Sequence, residues 1–236
     1  MRTPANRLFG SRRSGTVGEH WLTISDLMAG LMMVFLLISV ALMRSAFLDR
    51  DRMRDVAVAY REGQVAIDQA LRREFENDLE KWDAAIDAEN LTFEFRSPEV
   101  LFEAGAIALQ PRFATILDDF FPRYLEVLRA FETVIDEVRV EGHTSSDWVT
   151  ATEDEAYFNN MRLSQGRTRS VLEHVYRLPA APGDRNWVKR KVAAVGFSSS
   201  RLVVDAAGRE DPEASRRVLF RVVTNAETQI RTILER

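Results

Sequence analysis

The chain opens its pattern with an uninterrupted apolar run. Residues 22–43 read LTISDLMAGLMMVFLLISVALM, 22 positions with one ionisable side chain, Asp26. As a helix they rise about 33 Å, enough to cross a hydrocarbon core of roughly 30 Å. The pattern then changes. Met53, Val56, Tyr60, Ile67, Leu71, Phe75, Leu79, Trp82 and Ile86 recur at steps of three, four or seven, a helical stripe with charged residues between. Beyond residue 90 short alternating runs take over. Strands are predicted over 91–96, 135–142, 188–197 and 216–224. Between them, helices are predicted over 110–131, with Pro111 in its first turn, and over 155–178, closed by Pro179 and the Pro182-Gly183 turn. A last helix is expected from Asn225 to the end.

This pattern divides the chain into a tail (1–21), a single transmembrane helix (22–43), a charged helical linker (44–90) and a domain (91–236). The expected order β-α-β-α-β-β-α gives an α+β sandwich, a mixed sheet with helices on one face. The linker stripe can pack on a second copy or on its own domain; the pattern fits both.

Asp26 is the first chemical candidate. A carboxylate at bilayer depth costs about 3 kcal/mol on insertion scales, so such a group normally carries a function or has a partner. The alternative starts the span at Leu27, leaving 17 uncharged residues and the acid among headgroups. The tail carries Arg2, Arg7, Arg12 and Arg13 against Glu19, whereas 44–89 mixes 8 basic with 12 acidic residues. The cationic bias places the tail in the cytoplasm and the domain outside. The apolar run is longer than the core of a signal peptide, which favours an uncleaved anchor. Trp21 fits an interfacial aromatic, and Ser25, Ala29 and Gly30 offer small surfaces for close helix approach.

A net charge of −4 and the lack of a basic stripe argue against direct nucleic-acid binding. With no cysteine, disulfides, thiolate metal sites and cysteine nucleophiles are excluded. His20, His143 and His174 have no metal-ligand spacing, and no nucleophile elbow or catalytic constellation can be assembled. The chain is therefore read as neither a hydrolase nor another enzyme, and no resident cofactor or metal is expected. The polar loops 143–154 and 205–215 follow strands, where binding groups commonly sit.

Several stretches, taken in order, resemble the OmpA-like peptidoglycan-binding domain. They are LFEAGAIALQP (101–111), VRVEGHT (138–144), NMRLSQGR (160–167), VGF (195–197) and SRRV (215–218). The resemblance implies non-covalent binding of peptidoglycan through the diaminopimelate of its stem peptide. Arg167 would grip a carboxylate, and Asn160 and Leu163 share its helical face. Thr144 belongs to the matched loop. The family's acid falls at Ser145, so Asp147 or a backbone group is the candidate replacement. Arg216, Arg217 and His143 are expected to hold structure. Without the resemblance, Arg167 reads as a solvated surface arginine.

The apolar run and its flank, WLTISDLMAGLMMVFLL (21–37), are similar to the span shared by flagellar stator B subunits and the ExbD/TolR proteins. With the OmpA-like domain, the whole chain resembles the B subunits of the Zorya anti-phage defence system, with the flagellar B subunit as the alternative. This implies an inner-membrane motor subunit: two copies inside a ring of five multi-span A subunits, a proton or sodium ion carried on Asp26, and the wall as anchor. A passive wall tether, with Asp26 only an assembly contact, is the rival reading.

Overall fold

The computed structural model describes residues 16–96, 98–178 and 184–225. The residue 1–15 part of the tail, the turn at Pro179 to Gly183 and the helix expected after Asn225 lie outside them, as does the Trp21 side chain. The chain divides into two compact units, residues 1–54 and 55–236.

The first unit holds most of α1 (Thr16–Phe75). From Ile24 to Met43 its side chains are exposed, apart from Ser39, which is half-buried. Among the described residues α1 is the one helix long and apolar enough to cross a membrane. Asp26 lies within this apolar stretch.

In the second unit, α1 ends at Phe75 and is followed by α2 (Leu79–Trp82), β1 (Ala84–Asp87), β2 (Thr92–Phe95), α3 (Pro98–Leu101), α4 (Pro111–Arg129) and β3 (Ile135–Gly142). Then come α5 (Glu153–Arg177), α6 (Asp184–Lys191), β4 (Val192–Gly196), α7 (Pro212–Ser215) and β5 (Val218–Thr224). The sheet order is β1-β2-β5-β3-β4, antiparallel except for the parallel pair β3–β4. The expected α+β class with a mixed sheet is therefore the observed one.

Alternation sorts the sheet into two faces. Phe93 and Phe95 of β2, Val138 and Val140 of β3, and Val218, Phe220 and Val222 of β5 all enter one core. The same core receives Ile67, Leu71 and Phe75 from α1, Phe113, Phe120 and Tyr124 from α4, Val171 and Val175 from α5, and Trp187 and Val188 from α6. The helices thus cover one face. Phe120 sits at the centre, with ring centroids 4.6 Å from Phe93, 5.1 Å from Phe95 and 5.1 Å from Phe220. The other face carries charge: Glu141 pairs with Arg221 at 2.8 Å, and Arg139 with Glu137 at 3.0 Å.

Three segments differ from the sequence reading. Ile86 closed the helical stripe, but it lies in β1, paired with Phe93 of β2. The helical path stops at Asp83, whose backbone is left-handed (φ 49°), and the Arg72 guanidinium donates to the Ile86 carbonyl at 3.0 Å. The stripe itself is settled in favour of packing on the chain's own domain for Ile67, Leu71 and Phe75, each fully buried. Residues 188–191, read as strand, are the last turn of α6. Trp187 and Val188 enter the core from α6, and Lys189, Arg190 and Lys191 suit a helix C-terminus. Arg216 precedes β5 and caps α7 instead of starting the strand.

Candidate functional site

The parallel β3–β4 pair and α5 build the site. At the ends of those strands glycine is required by contact. A Cβ on Gly196 would lie 2.5 Å from the Gln165 backbone nitrogen, and one on Gly142 would lie 2.9 Å from the Ser164 carbonyl oxygen. The α5 backbone therefore rests directly on the strand ends. A third close approach, a Gly166 Cβ at 2.7 Å from Ile107, brings the 103–107 turn against the helix beside Arg167.

That turn orients the arginine. Gly105 adopts a left-handed φ of +71°, and Ala106 N donates to the Glu103 carbonyl at 3.0 Å, a turn that favours glycine at its third position. The Arg167 Nε donates to the Ala106 carbonyl at 2.9 Å and its Nη2 to the Glu103 carbonyl at 3.1 Å. The guanidinium lies over the Phe102 ring, 4.8 Å from its centroid. Among the described residues no carboxylate pairs with it. Burial, and then the Arg216 charge, push its pKa down to about 10. A half-buried cation without a counter-ion is poised for an anion.

The opposite wall is the loop after β3. His143 N donates to the Arg217 carbonyl and Thr144 N to the Ser198 carbonyl, each at 3.0 Å, so the loop leaves the sheet as an extension of it. Asn160 on α5 is 2 % exposed, and its Nδ2 donates to the carbonyls of Ser145 at 3.1 Å and Asp147 at 3.4 Å. Ser146 N donates to Glu210 Oε1 at 2.9 Å, and its hydroxyl donates to the other Glu210 oxygen. The second polar loop thereby clasps the first. Thr152 closes the segment as N-cap of α5 in a capping box with Glu155.

Between these walls lies a cleft of about 730 Å³. Thr144, Asp147, Asn160, Leu163 and Arg167, the residues singled out from the sequence, all line it. Their contributions differ. Arg167 offers charge, Leu163 an apolar wall and Asp147 an exposed carboxylate at the rim, whereas the Asn160 amide nitrogen is spent holding the loop. Thr144 is 3 % exposed and its hydroxyl has no hydrogen-bond partner among the described residues. Ser145, in the slot of the family's acid, is buried.

Phe102, Glu103, Trp148, Val149 and Arg216 also line it. Sequence reasoning missed these. The LFEAG motif marked the first two as family-like without a role, and a tryptophan inside a polar loop was a usable signal. Arg216, for which a structural role is expected, caps α7 and also lines the cleft. The structural expectation holds for Arg217, which donates to the Ala214, Ser215 and Arg201 carbonyls. His143 stacks on Phe197 with centroids 5.2 Å apart and planes 10° apart. Burial lowers its pKa, and both ring nitrogens lack hydrogen bonds among the described residues, although Nε2 is 3.4 Å from Glu141.

A long apolar N-terminal helix joined to an α+β domain with an arginine-bearing cleft defines the general class. The particular family follows from a relative. Over 218 residues the chain is 55 % identical to the Zorya protein ZorB of Escherichia coli, covering 92 % of this chain and 93 % of that protein. The chain belongs to the ZorB family. No family model matches it. Among solved structures, it is similar to a putative MotB-like protein from Desulfovibrio vulgaris (20 % identity, 72 % of this chain, 94 % of that one, TM-score 0.48). It is also similar to the cell wall anchor of the T6SS from Pseudomonas aeruginosa (22 % identity, 65 % and 96 %, TM-score 0.45).

Proposed function

We propose that the chain is the wall-anchored B subunit of an ion-driven, stator-like motor of the bacterial inner membrane that serves anti-phage defence. Membership of the ZorB family supports the defence setting. The observation that carries the mechanism is the pairing of two features on one polypeptide: a lone acid in an apolar helix, and a cationic cleft suited to a carboxylate ligand.

The mechanism runs through charge. The basic tail stays in the cytoplasm and the domain lies in the periplasm. Two copies stand inside a ring of five multi-span A subunits. A proton or sodium ion arriving from the periplasm neutralises Asp26 and removes the cost of an unsolvated carboxylate; release to the cytoplasm restores it. Alternating the two states changes which ring contacts are favourable, so the ring steps around the pair. One elementary charge crossing 100 mV yields about 2.3 kcal/mol, so a few ions drive a large rearrangement. The cleft supplies the reaction point. Arg167 takes a carboxylate of the peptidoglycan stem peptide, Asp147 its ammonium, and Leu163 and Trp148 its aliphatic part.

Two variants of the full chain test the halves of this reading. Asp26→Asn inserts, accumulates and sediments with purified sacculi as the parent does, but gives no protection against phage; full protection would leave a passive tether. Arg167→Ala lowers sedimentation with sacculi, because losing a charge-assisted hydrogen bond costs about 1.5–3 kcal/mol, or roughly 10–100-fold in affinity. Unchanged sedimentation would remove Arg167 from the site.

A further inference from the structure

The wall-binding reading assigns one arginine, and the cleft holds two. Arg216 lines it beside Arg167, and both also line a small cavity with His143, Ser164 and Arg217. The other cations of this end of the sheet are matched: Arg221 and Arg201 pair with Glu141 at 2.8 and 3.4 Å, and Arg217 lies 4.0 Å from Glu94. Among the described residues neither Arg167 nor Arg216 pairs with any carboxylate, including Glu103 and Asp147 of the cleft itself. The Arg216 guanidinium makes no hydrogen bond within the described residues. Thr144 adds a buried hydroxyl with no partner on the same lining.

We propose that Arg216 binds a second carboxylate of the same stem peptide, so that the cleft selects a ligand end with two negative charges and one positive. The inference rests on the wall-binding reading and deepens it. A single carboxylate on Arg167, whose Nε and Nη2 already donate to the 103–106 turn, leaves Arg216 uncompensated next to a like charge. A second carboxylate removes that repulsion, and either anion can accept from the Thr144 hydroxyl. Asp147 and Glu103, unpaired at the exposed rim, suit the ammonium.

A diaminopimelate stem offers the second carboxylate from two sources. One is the α-carboxylate of the γ-linked D-glutamyl residue. The other is the terminal carboxylate that diaminopimelate bears in a tripeptide but loses to an amide bond when D-alanine follows. Titration calorimetry of the full chain in detergent, against three synthetic peptides, separates them: the tripeptide, the same tripeptide with the D-glutamyl carboxylate amidated, and the tetrapeptide ending in D-alanine. The parent chain is expected to bind one of the latter two at least 10-fold more weakly than the tripeptide, and the weaker one identifies the source. Arg216→Gln is expected to lose at least 10-fold for the tripeptide and nothing further for the weaker peptide, and Arg216→Lys to recover part of the loss.

Equal binding of all three peptides by the parent chain would overturn the inference while leaving wall binding intact. Binding of none would overturn both. An Arg216→Gln loss that is the same for every peptide would make Arg216 structural. The comparison within the parent chain needs no variant, so the test stands even if Arg216→Gln folds poorly.

Discussion

The Asn160 amide reaches from the N-terminal third of α5 to the Ser145 carbonyl at 3.1 Å, fastening the loop after β3. Both the donor and Ser145 are buried. Asn160→Ala leaves the buried Ser145 carbonyl without this partner, which costs about 1–3 kcal/mol. The expected result is a lower melting temperature together with weaker binding to sacculi. Asn160→Asp fares no better, because a carboxylate faces the same carbonyls. Unchanged melting and binding in Asn160→Ala would show that the loop holds without this tie.

Gly196 marks where strand and helix touch. An alanine there places its Cβ 2.5 Å from a helix backbone atom, not from a flexible side chain. Either α5 or β4 must move, and overpacking of this kind costs about 1–3 kcal/mol or more. Gly196→Ala is expected to lower the denaturation midpoint and, by shifting α5, to displace Arg167. Serial chemical-shift mapping along α5 reports the movement; a shift confined to residues 195–197 would contradict it.

Arg123 ties α1 to α4. Its Nε donates to Glu74 at 2.7 Å, Nη1 to Asp78 at 3.0 Å and Nη2 to the Glu74 carbonyl at 2.7 Å, and its guanidinium lies 4.8 Å from the Phe75 centroid. Removing a partly buried hub of this kind costs about 2–4 kcal/mol. Arg123→Ala is expected to expose residues 67–75 to amide exchange before the sheet opens. Arg123→Lys recovers only part, lacking the planar fork. Simultaneous exchange of the helix and sheet would show that the tie has no local effect.

Acid weakens the domain through two neighbouring groups. Burial raises the Glu141 pKa, but His143 and Arg221 outweigh it and hold the group below its ordinary 4.5. Burial lowers the His143 pKa below 6.5; Glu141 opposes this, and Arg217 and Arg201 add to it. The unfolded chain therefore binds more protons than the folded one in both windows. Stability is fully present above about pH 6.5, falls first as unfolded His143 takes its proton, and falls again below 4.5 as Glu141 does. His143→Phe keeps a ring against Phe197 and is expected to flatten the melting-temperature profile between pH 7 and 5, leaving the lower fall in place. An unchanged slope in that range would assign it to other groups.

What the sequence determined by itself was whatever repeats with a short period or sits inside one segment. The apolar run holding Asp26 needs only its own composition to be seen. The alternation of residues 135–142 fixed β3 because one face of that strand is buried and the other is charged. Pro111 marked the first turn of α4 for a reason internal to the helix. The spacing of Asn160, Leu163 and Arg167 put all three on one face of α5, and all three line the cleft.

Tertiary structure decided the matters that depend on distant partners. Whether residues 188–191 became helix or strand turned on the burial of Trp187 and Val188 against distant core residues, a constraint no local pattern carries. Ile86 joined a strand because β2 offered it an edge. The Ile67, Leu71 and Phe75 part of the stripe could face a second copy or its own sheet until Phe75 met Phe93 and Phe120. Arg216 and Arg217 are adjacent and chemically identical, yet one lines the cleft and the other is spent on three carbonyls. Side-chain chemistry is local, but the burial and counter-charges that give it a role come from residues far away along the chain.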